Sequence, residues 1–434
     1  RQRQTTEKGG RATFSPRQTA AGCAPMASMN EKNLNVKNRR LSNRLRMCRR
    51  GVILIGLFLS TTVLLGGLWL AAAAGLAFPQ LEAASDKTFL IGSAILLILA
   101  ESVLFWCGIV QIYLSSAQIG IKWRVIGILC GMIPVVHLFV LGKIVRLASE
   151  EVRFERAKLR LDEARAAERV CATRYPLLLV HGVFFRDFRY LNYWGRIPAA
   201  LEKNGAVIYY GNHQSAASVA DSGAEIAARI KEIVRESGCG KVNIIAHSKG
   251  GLDSRYAISR LGMAPYVASL TTVNTPHRGC EFADYLLNLI PEKQKNAIAA
   301  AYNAALKKLG DDRPDFLAAV GDLTASACAA LNEQLPDPQG VCIQSIGSCL
   351  KHASGGRFPL NLTNRFVDLF DGENDGLVGR DSFCWGEDYR CLTPPGRRGI
   401  SHGDVIDLNR ENIEGFDVRE FYVKRVSELK KKGF

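Results

Sequence analysis

Lys241-Val242-Asn243-Ile244-Ile245-Ala246-His247-Ser248-Lys249-Gly250-Gly251 decides how this 434-residue chain is read. The apolar run up to Ala246 has the length and β-branched content of a buried strand, and a helical pattern at Leu252 to Leu261 follows at once. A serine on so sharp a strand-to-helix turn needs small residues two places before and two after it, because its strained backbone brings those positions against neighbouring chain. Ala246 and Gly250 meet that demand. The helix beginning just past Ser248 aims backbone N–H groups and a positive dipole end at the place where negative charge would develop. Ser248 is therefore the candidate nucleophile.

Outward from this turn, Pro176 to Val180 and Ala206 to Tyr210 are further short apolar runs, and Ala224 to Arg235 has a helical pattern. Strands alternating with helices predict a parallel sheet with crossover helices. The first strand ends in His181-Gly182-Val183, where an α/β-hydrolase places its second oxyanion donor, so the backbone N–H groups of Val183 and Lys249 are the candidate pair. His181 reads as a brace for that loop. A triad in such a fold follows the order serine, acid, histidine, which leaves His277, His352 and His402. His277 comes too soon after Ser248 and His352 precedes the best acid, so His402 is the candidate base. Phe366 to Phe370 reads as an apolar strand ending in Asp371-Gly372-Glu373-Asn374-Asp375-Gly376-Leu377-Val378, with Asp375 the candidate acid and Asp371 the reserve. The chemistry of this set is acyl transfer: His402 takes the Ser248 proton, Asp375 fixes the imidazole, and the two backbone donors hold the oxyanion. No metal or cofactor is required for it.

Tyr175-Pro176 through His181-Gly182, Asp187 to Pro198 with Tyr193-Trp194, the Lys241 strand running into Ala246-His247-Ser248-Lys249-Gly250-Gly251, Thr275-Pro276-His277-Arg278-Gly279, and Asn374 to Val378 occur in one order. Together they resemble the bacterial triacylglycerol lipases of the Pseudomonas and Burkholderia type over residues 175 to 410. The resemblance implies an α/β-hydrolase fold with a helical lid at about 281–336, formed by the Ala-rich patterns Glu292 to Leu309 and Pro314 to Leu331. It also implies Ser248, Asp375 and His402 as triad and Val183 and Lys249 as oxyanion positions. The chain departs from the family in having Ala246 where glycine is usual. Many of those lipases bind a structural calcium near the histidine, and Asp404 falls on one of its ligand positions; the remaining ligands find no residue-by-residue match.

The N-terminal third has another character. Residues 1–50 carry 13 Lys/Arg against Glu7 and Glu31, a net +11 of the total +15, so residues 51–434 carry only +4. A basic tail running into an apolar stretch points to membrane orientation, and a nucleic-acid partner is not expected. Gly51 to Phe78 is 28 residues without a charge, and Thr88 to Leu114 is 27 with only Glu101. Both exceed the roughly 20 residues needed to span a bilayer. Val125 to Gly142, with Pro134 and His137, reads as a third span of 18 residues. Three spans from a cytoplasmic basic tail, with Glu82 and Asp86 outside and Lys122 and Arg124 inside, would place the C-terminal domain on the extracytoplasmic side. Residues 146–174 read as a solvated charged linker, and 175–434 as the hydrolase domain.

The expected partners are the bilayer and a lipid or ester substrate. An acyltransferase or small-ester esterase with the same triad, and an inactive membrane-bound binding protein, are the rival readings. Cys342/Cys349 and Cys384/Cys391 are close pairs in sequence, and none of the cysteines has zinc-site spacing.

Overall fold

The computed structural model describes residues 24–74, 87–131, 133, 136–183 and 192–434, with the side chains of 24–38 and 87 excepted. Glu82, Asp86, Pro134 and the first 23 residues lie outside the described residues. Four helices come first: α1 (Ala24–Ala73), α2 (Lys87–Ser115), α3 (Gly120–Cys130) and α4 (Val136–Ala164). Within α1 and α2, Arg39–Ala73 and Thr88–Ser115 are long and apolar enough to cross a membrane, by length and composition. Their outward faces are apolar, with Leu64, Leu70, Leu96, Ile98 and Val103 all exposed.

Two expectations need correction here. The predicted third span, 125–142, is broken: α3 ends at Cys130 and α4 starts at Val136. At 1.5 Å per residue the 11 residues of α3 reach only about 16 Å, half a hydrocarbon core. The predicted solvated linker is also wrong. It continues α4, and its Glu151, Glu155, Lys158 and Asp162, spaced along one helical face, are buried. They are buried because each has a partner. Glu155 pairs with Arg196 and Arg419 at 3.0 and 2.8 Å, Asp162 with Lys158 and Arg165 at 3.2 and 2.8 Å, and Lys158 with Glu420 at 2.6 Å. Burial alone would raise the Glu155 carboxyl, but the guanidiniums of Arg419 and Arg196 pull it below the usual carboxylate range.

The remaining chain contains strands β1 (Leu177–Val180), β2 (Ile208–Tyr210), β3 (Val242–His247), β4 (Val267–Val273), β5 (Cys342–Ser348) and β6 (Asp388–Leu392). They form one sheet in the order β2-β1-β3-β4-β5-β6, with every neighbouring pair parallel. β1, β3 and β4 are buried along their whole length, which explains why β1 runs apolar without alternation. The period of two still divides the core. Leu177 and Leu179 face Trp194, Ile197 and Tyr422, whereas Leu178 and Val180 face Ile226 and Ile230.

Helices α5 (Ile197–Lys203), α6 (Val219–Ser237) and α7 (Lys249–Ser259) flank the sheet. The predicted lid comprises α8 (Glu281–Leu289), α9 (Glu292–Lys308), α10 (Phe316–Gly321) and α11 (Ala325–Gln334). The pattern Pro314 to Leu331 is thus two helices, divided where the Thr324 side chain caps α11 by accepting from Ala327 N. Phe366 to Phe370, predicted as a strand, lies in the amphipathic helix α12 (Leu360–Asp371). The last helix is α13 (Val418–Lys431).

Candidate active site

The turn after β3 has the strain that its sequence implies. Ser248 has φ +55° and ψ −132°, a region that L side chains rarely adopt. The close approaches around it explain the glycines. A Cβ on Gly250 would stand 2.3 Å from the His181 carbonyl oxygen, and one on Gly251 2.1 Å from Thr275 Oγ1. A Cβ on Gly182 would stand 2.8 Å from Ser248 Cβ, so the end of β1 lies against the serine. Val183 follows directly and packs against Ala216, Leu306 and Ala319, and Lys249 opens α7.

His402 and Asp375 are brought together. His402 Nδ1 lies 2.6 Å from Asp375 Oδ2, and His402 N donates to the Asp375 carbonyl at 2.9 Å. The His402 ring lies 4.5 Å, centroid to centroid, from that of His247, the residue before Ser248. The Asp375 carboxylate is fully buried, and its charge is met on every side. Its Oδ1 accepts from Leu377 N and Val378 N at 2.9 Å each, and its Oδ2 accepts from Asn274 Nδ2 at 2.6 Å. Asp371, the reserve acid, is elsewhere engaged: it accepts from Glu281 N and Phe282 N and so caps α8. His277 is buried against Arg255 and Thr272, and His352 is exposed.

Two participants were missed from sequence. Asn274, just past β4, has φ +47°, and its amide bridges Asp375 and Ser348. An asparagine directly beyond a buried strand was the available signal, since asparagine tolerates this backbone region. The second is the Tyr193 and His247 pair. Tyr193 hydroxyl accepts from Gly182 N at 3.0 Å and shares a 2.6 Å hydrogen bond with His247 Nδ1, so it ties the end of β1 to the residue beside Ser248. Burial, then the nearby His402, hold the His247 imidazole well below its ordinary value, so it is neutral. His181 stacks on His213 at 3.8 Å and bonds the carbonyls of Gly182 and His213, the bracing role expected of it.

Asp404 does not fit a calcium site. Its Oδ1 lies 2.9 Å from Arg398 Nη2, its Oδ2 accepts from Ser401 N, and Arg398 also reaches Glu411 at 3.0 Å. A guanidinium thus stands where the carboxylate would meet a cation. Among the described residues no group of three or more His, Cys, Asp or Glu is placed to hold a metal ion. Cys342 and Cys349, close in sequence, are not partners in space. Cys342 and Cys349 lie at opposite ends of β5, about 20 Å apart at strand rise. The partner of Cys349 is Cys391 on the neighbouring strand, with which it shares a hydrogen bond.

No family model matches the chain. A triacylglycerol lipase of Pseudomonas fragi is 32% identical over 294 residues, covering 60% of this chain and 98% of that protein. The chain belongs to the triacylglycerol lipase family. A triacylglycerol lipase of Vibrio cholerae is 30% identical over 292 residues, covering 60% of this chain and 89% of its own length. A third, from Burkholderia plantarii, is 36% identical over 186 residues, or 40% of this chain and 51% of that lipase. The chain thus spans about half the length of that relative, and 56% of the lipase of Pseudarthrobacter phenanthrenivorans. The solved structure of Staphylococcus hyicus lipase is similar at a TM-score of 0.47 and 18% identity, covering 60% of this chain and 97% of that one.

Proposed function

We propose that this lipase-family chain is a membrane-anchored carboxylic ester hydrolase acting on acyl lipids through an acyl-enzyme on Ser248. The observation that carries the proposal is the 2.6 Å His402 and Asp375 pair beside a serine held at φ +55° on a strand-to-helix turn. His402 takes the Ser248 hydroxyl proton as the oxygen attacks the ester carbonyl, and Asp375 stabilises the imidazolium so formed. The tetrahedral oxyanion is held by the N–H groups of Val183 and Lys249, the latter at the positive end of α7. His402 then returns the proton to the leaving alcohol, and water repeats the sequence to free the acid.

The acyl chain needs an apolar cover. Tyr285, Leu286 and Leu289 of α8 are exposed beside Leu362, Phe366 and Leu369 of α12, and the Tyr285 ring meets that of Phe370 at 4.7 Å, tilted by 34°. In this reading α8 to α11 form the lid at a lipid surface.

The contacts of Glu151 favour one side of the membrane. It bonds Arg44 near the start of the α1 apolar stretch, and Ser116, Ala117 and Gln118 at the end of α2. Gln118 in turn bonds Arg410 and Asn412 of the hydrolase domain at 2.9 Å each. These contacts support a reading in which the domain and the basic segment Arg39 to Arg50 share one face, and in which α3 and the start of α4 enter the membrane and return on the same side. By the positive-inside rule that face is cytoplasmic, opposite to the side that three full spans would give.

The test is hydrolysis of p-nitrophenyl esters of rising chain length by the full chain in detergent, beside Ser248→Ala. Rates that rise with chain length and vanish in Ser248→Ala support the lipase reading, and activity confined to short chains favours a small-ester esterase. A fluorescent-protein tag at the C-terminus should fluoresce, whereas an alkaline phosphatase tag there should be inactive; the reverse would put the domain outside.

A further inference from the structure

Helix α4 has two charged faces with opposite fates. On one, Glu151, Glu155, Lys158 and Asp162 are buried and paired. On the other, Arg153, Arg156 and Arg160 follow at intervals of three and four, and together with Arg49 of α1 they line a cleft of about 480 Å³ between the two helices. Among the described residues none of these four guanidiniums is paired with a carboxylate, although neighbours on the same helices are: Arg44 has Glu151, and Arg146 has Glu150. The wall of the cleft on the membrane side is apolar, formed by Val52 and Val152. Arg49 and Arg50 precede the uncharged run that begins at Gly51, which sets the cleft at the depth where headgroups give way to acyl chains.

We propose that this cleft binds the headgroup of an anionic glycerophospholipid, its phosphate oxygens held by the arginine forks and its acyl chains lying along Val52 and Val152. The proposal rests on the membrane-anchored reading given above. Four unpaired guanidiniums converging on one space oppose one another, and each presents planar N–H pairs that match phosphate oxygens bidentately. A zwitterionic lipid brings its own cation and compensates the cleft poorly. An anionic headgroup compensates it fully, and anionic lipid enriches the cytoplasmic leaflet, the side assigned here to this face. The cleft lies on the opposite face of α4 from the residues that dock the hydrolase domain, so it is distinct from the ester-cleaving site.

The experiment uses the purified full chain in detergent with an equimolar mixture of phosphatidylglycerol and phosphatidylcholine, and counts retained lipids by native mass spectrometry. Phosphatidylglycerol should be retained at least about tenfold over phosphatidylcholine, and Arg153→Gln/Arg156→Gln/Arg160→Gln should bring the ratio close to one. Hydrolysis of a short soluble ester should be unchanged in that variant, and the matching triple lysine variant, which keeps the charge, should retain much of the preference. Equal retention of the two lipids by the wild type overturns the proposal, as does an unchanged preference in the glutamine variant. Millimolar inorganic phosphate separates the two sources of phosphate: displacement of the lipid would mean that the cleft reads free phosphate, and the lipid assignment would fall. Should the wild-type chain leave the membrane in alkaline carbonate, the anchored reading falls and takes this one with it. Lipid parity in a chain that stays in the membrane overturns this inference alone.

Discussion

Replacing Gly250 by alanine tests whether the strained turn is the catalytic centre. The new Cβ would lie 2.3 Å from the His181 carbonyl oxygen and 2.9 Å from Val180 Cγ1. Ordinary contact begins at 3.4 Å, so the chain after β1 must retreat by roughly 1 Å in a close-packed core. Overpacking of this kind costs about 1–3 kcal/mol, and for a domain of this size each kcal/mol lowers Tm by about 2–4 °C, so a fall of about 2–12 °C is expected. The displaced segment is the one that ends in Gly182 and Val183, against Ser248. A misplacement of about 1 Å in a group that positions the reaction can cost about a hundredfold in rate. The expected result is therefore a kcat for p-nitrophenyl esters reduced roughly 10- to 100-fold with KM little changed, since the donor acts on the oxyanion. Gly321→Ala, in α10 with nothing within 4 Å of the added carbon, is the control and should keep both activity and Tm. If Gly250→Ala keeps the wild-type kcat while its Tm falls, the β1 end does not supply an oxyanion donor and the assignment of Val183 is wrong.

Three further outcomes follow from contacts already described. Asn274→Ala removes a 2.6 Å charge-assisted hydrogen bond to Asp375, of the class worth about 1.5–3 kcal/mol. Its kcat/KM should fall about 10- to 100-fold, and an unchanged rate would mean that Leu377 N and Val378 N suffice to orient the carboxylate. Chelator should leave Tm where it is, because Arg398 neutralises Asp404; Arg398→Ala should lower Tm by several degrees, leaving a buried carboxylate without its charge partner. A rise in wild-type Tm on adding calcium would contradict this. The hydrogen bond from Cys349, with help from Arg380, holds the Cys391 thiol below its ordinary value. A lowered value keeps thiolate present as pH falls toward neutrality, so iodoacetamide at pH 7 should alkylate Cys391 faster than Cys239 and Cys349→Ala should slow that reaction, both read by mass spectrometry.

The candidates Ser248, Asp375 and His402 could be chosen from sequence because each sits beside a feature that local chemistry dictates: a serine flanked by small residues, and an acid and a histidine in turns beyond the core sheet. The order of the motifs then narrowed the choice without any knowledge of the fold. The element before the acid was misread for a physical reason. Phe366 to Phe370 is apolar in sequence, but Phe366 and Leu369 belong to the exposed side of α12, and a short apolar run has no period long enough to tell helix from strand. Asn274 stayed hidden because its importance lies in a distance across 101 positions of sequence.

The membrane region shows where such reading stops. Hydropathy sees how many apolar residues follow one another, and at 125–142 it counts enough for a span without seeing that one helix ends at Cys130 and another starts at Val136. Charge density likewise sees the Arg and Glu of 146–164 as a solvated surface, although water is only one way to satisfy a charge. Along α4 the acidic stripe at 151, 155 and 162 is satisfied by Arg44, Arg196, Arg419 and Arg165, all from outside the stripe. Because those partners come from α1, from the C-terminal domain and from the end of the helix itself, the stripe ties that domain to the N-terminal helices. In the membrane-anchored reading proposed above, the contacts of Glu151 with Arg44 and of Gln118 with Arg410 would put an even number of crossings between the basic segment and Ser248, where composition alone predicts three. The two sides are told apart by contacts that lie nearly 300 residues apart in sequence, Gln118 with Arg410 and Asn412, which hydropathy and charge counts do not see, and the C-terminal tags decide between them.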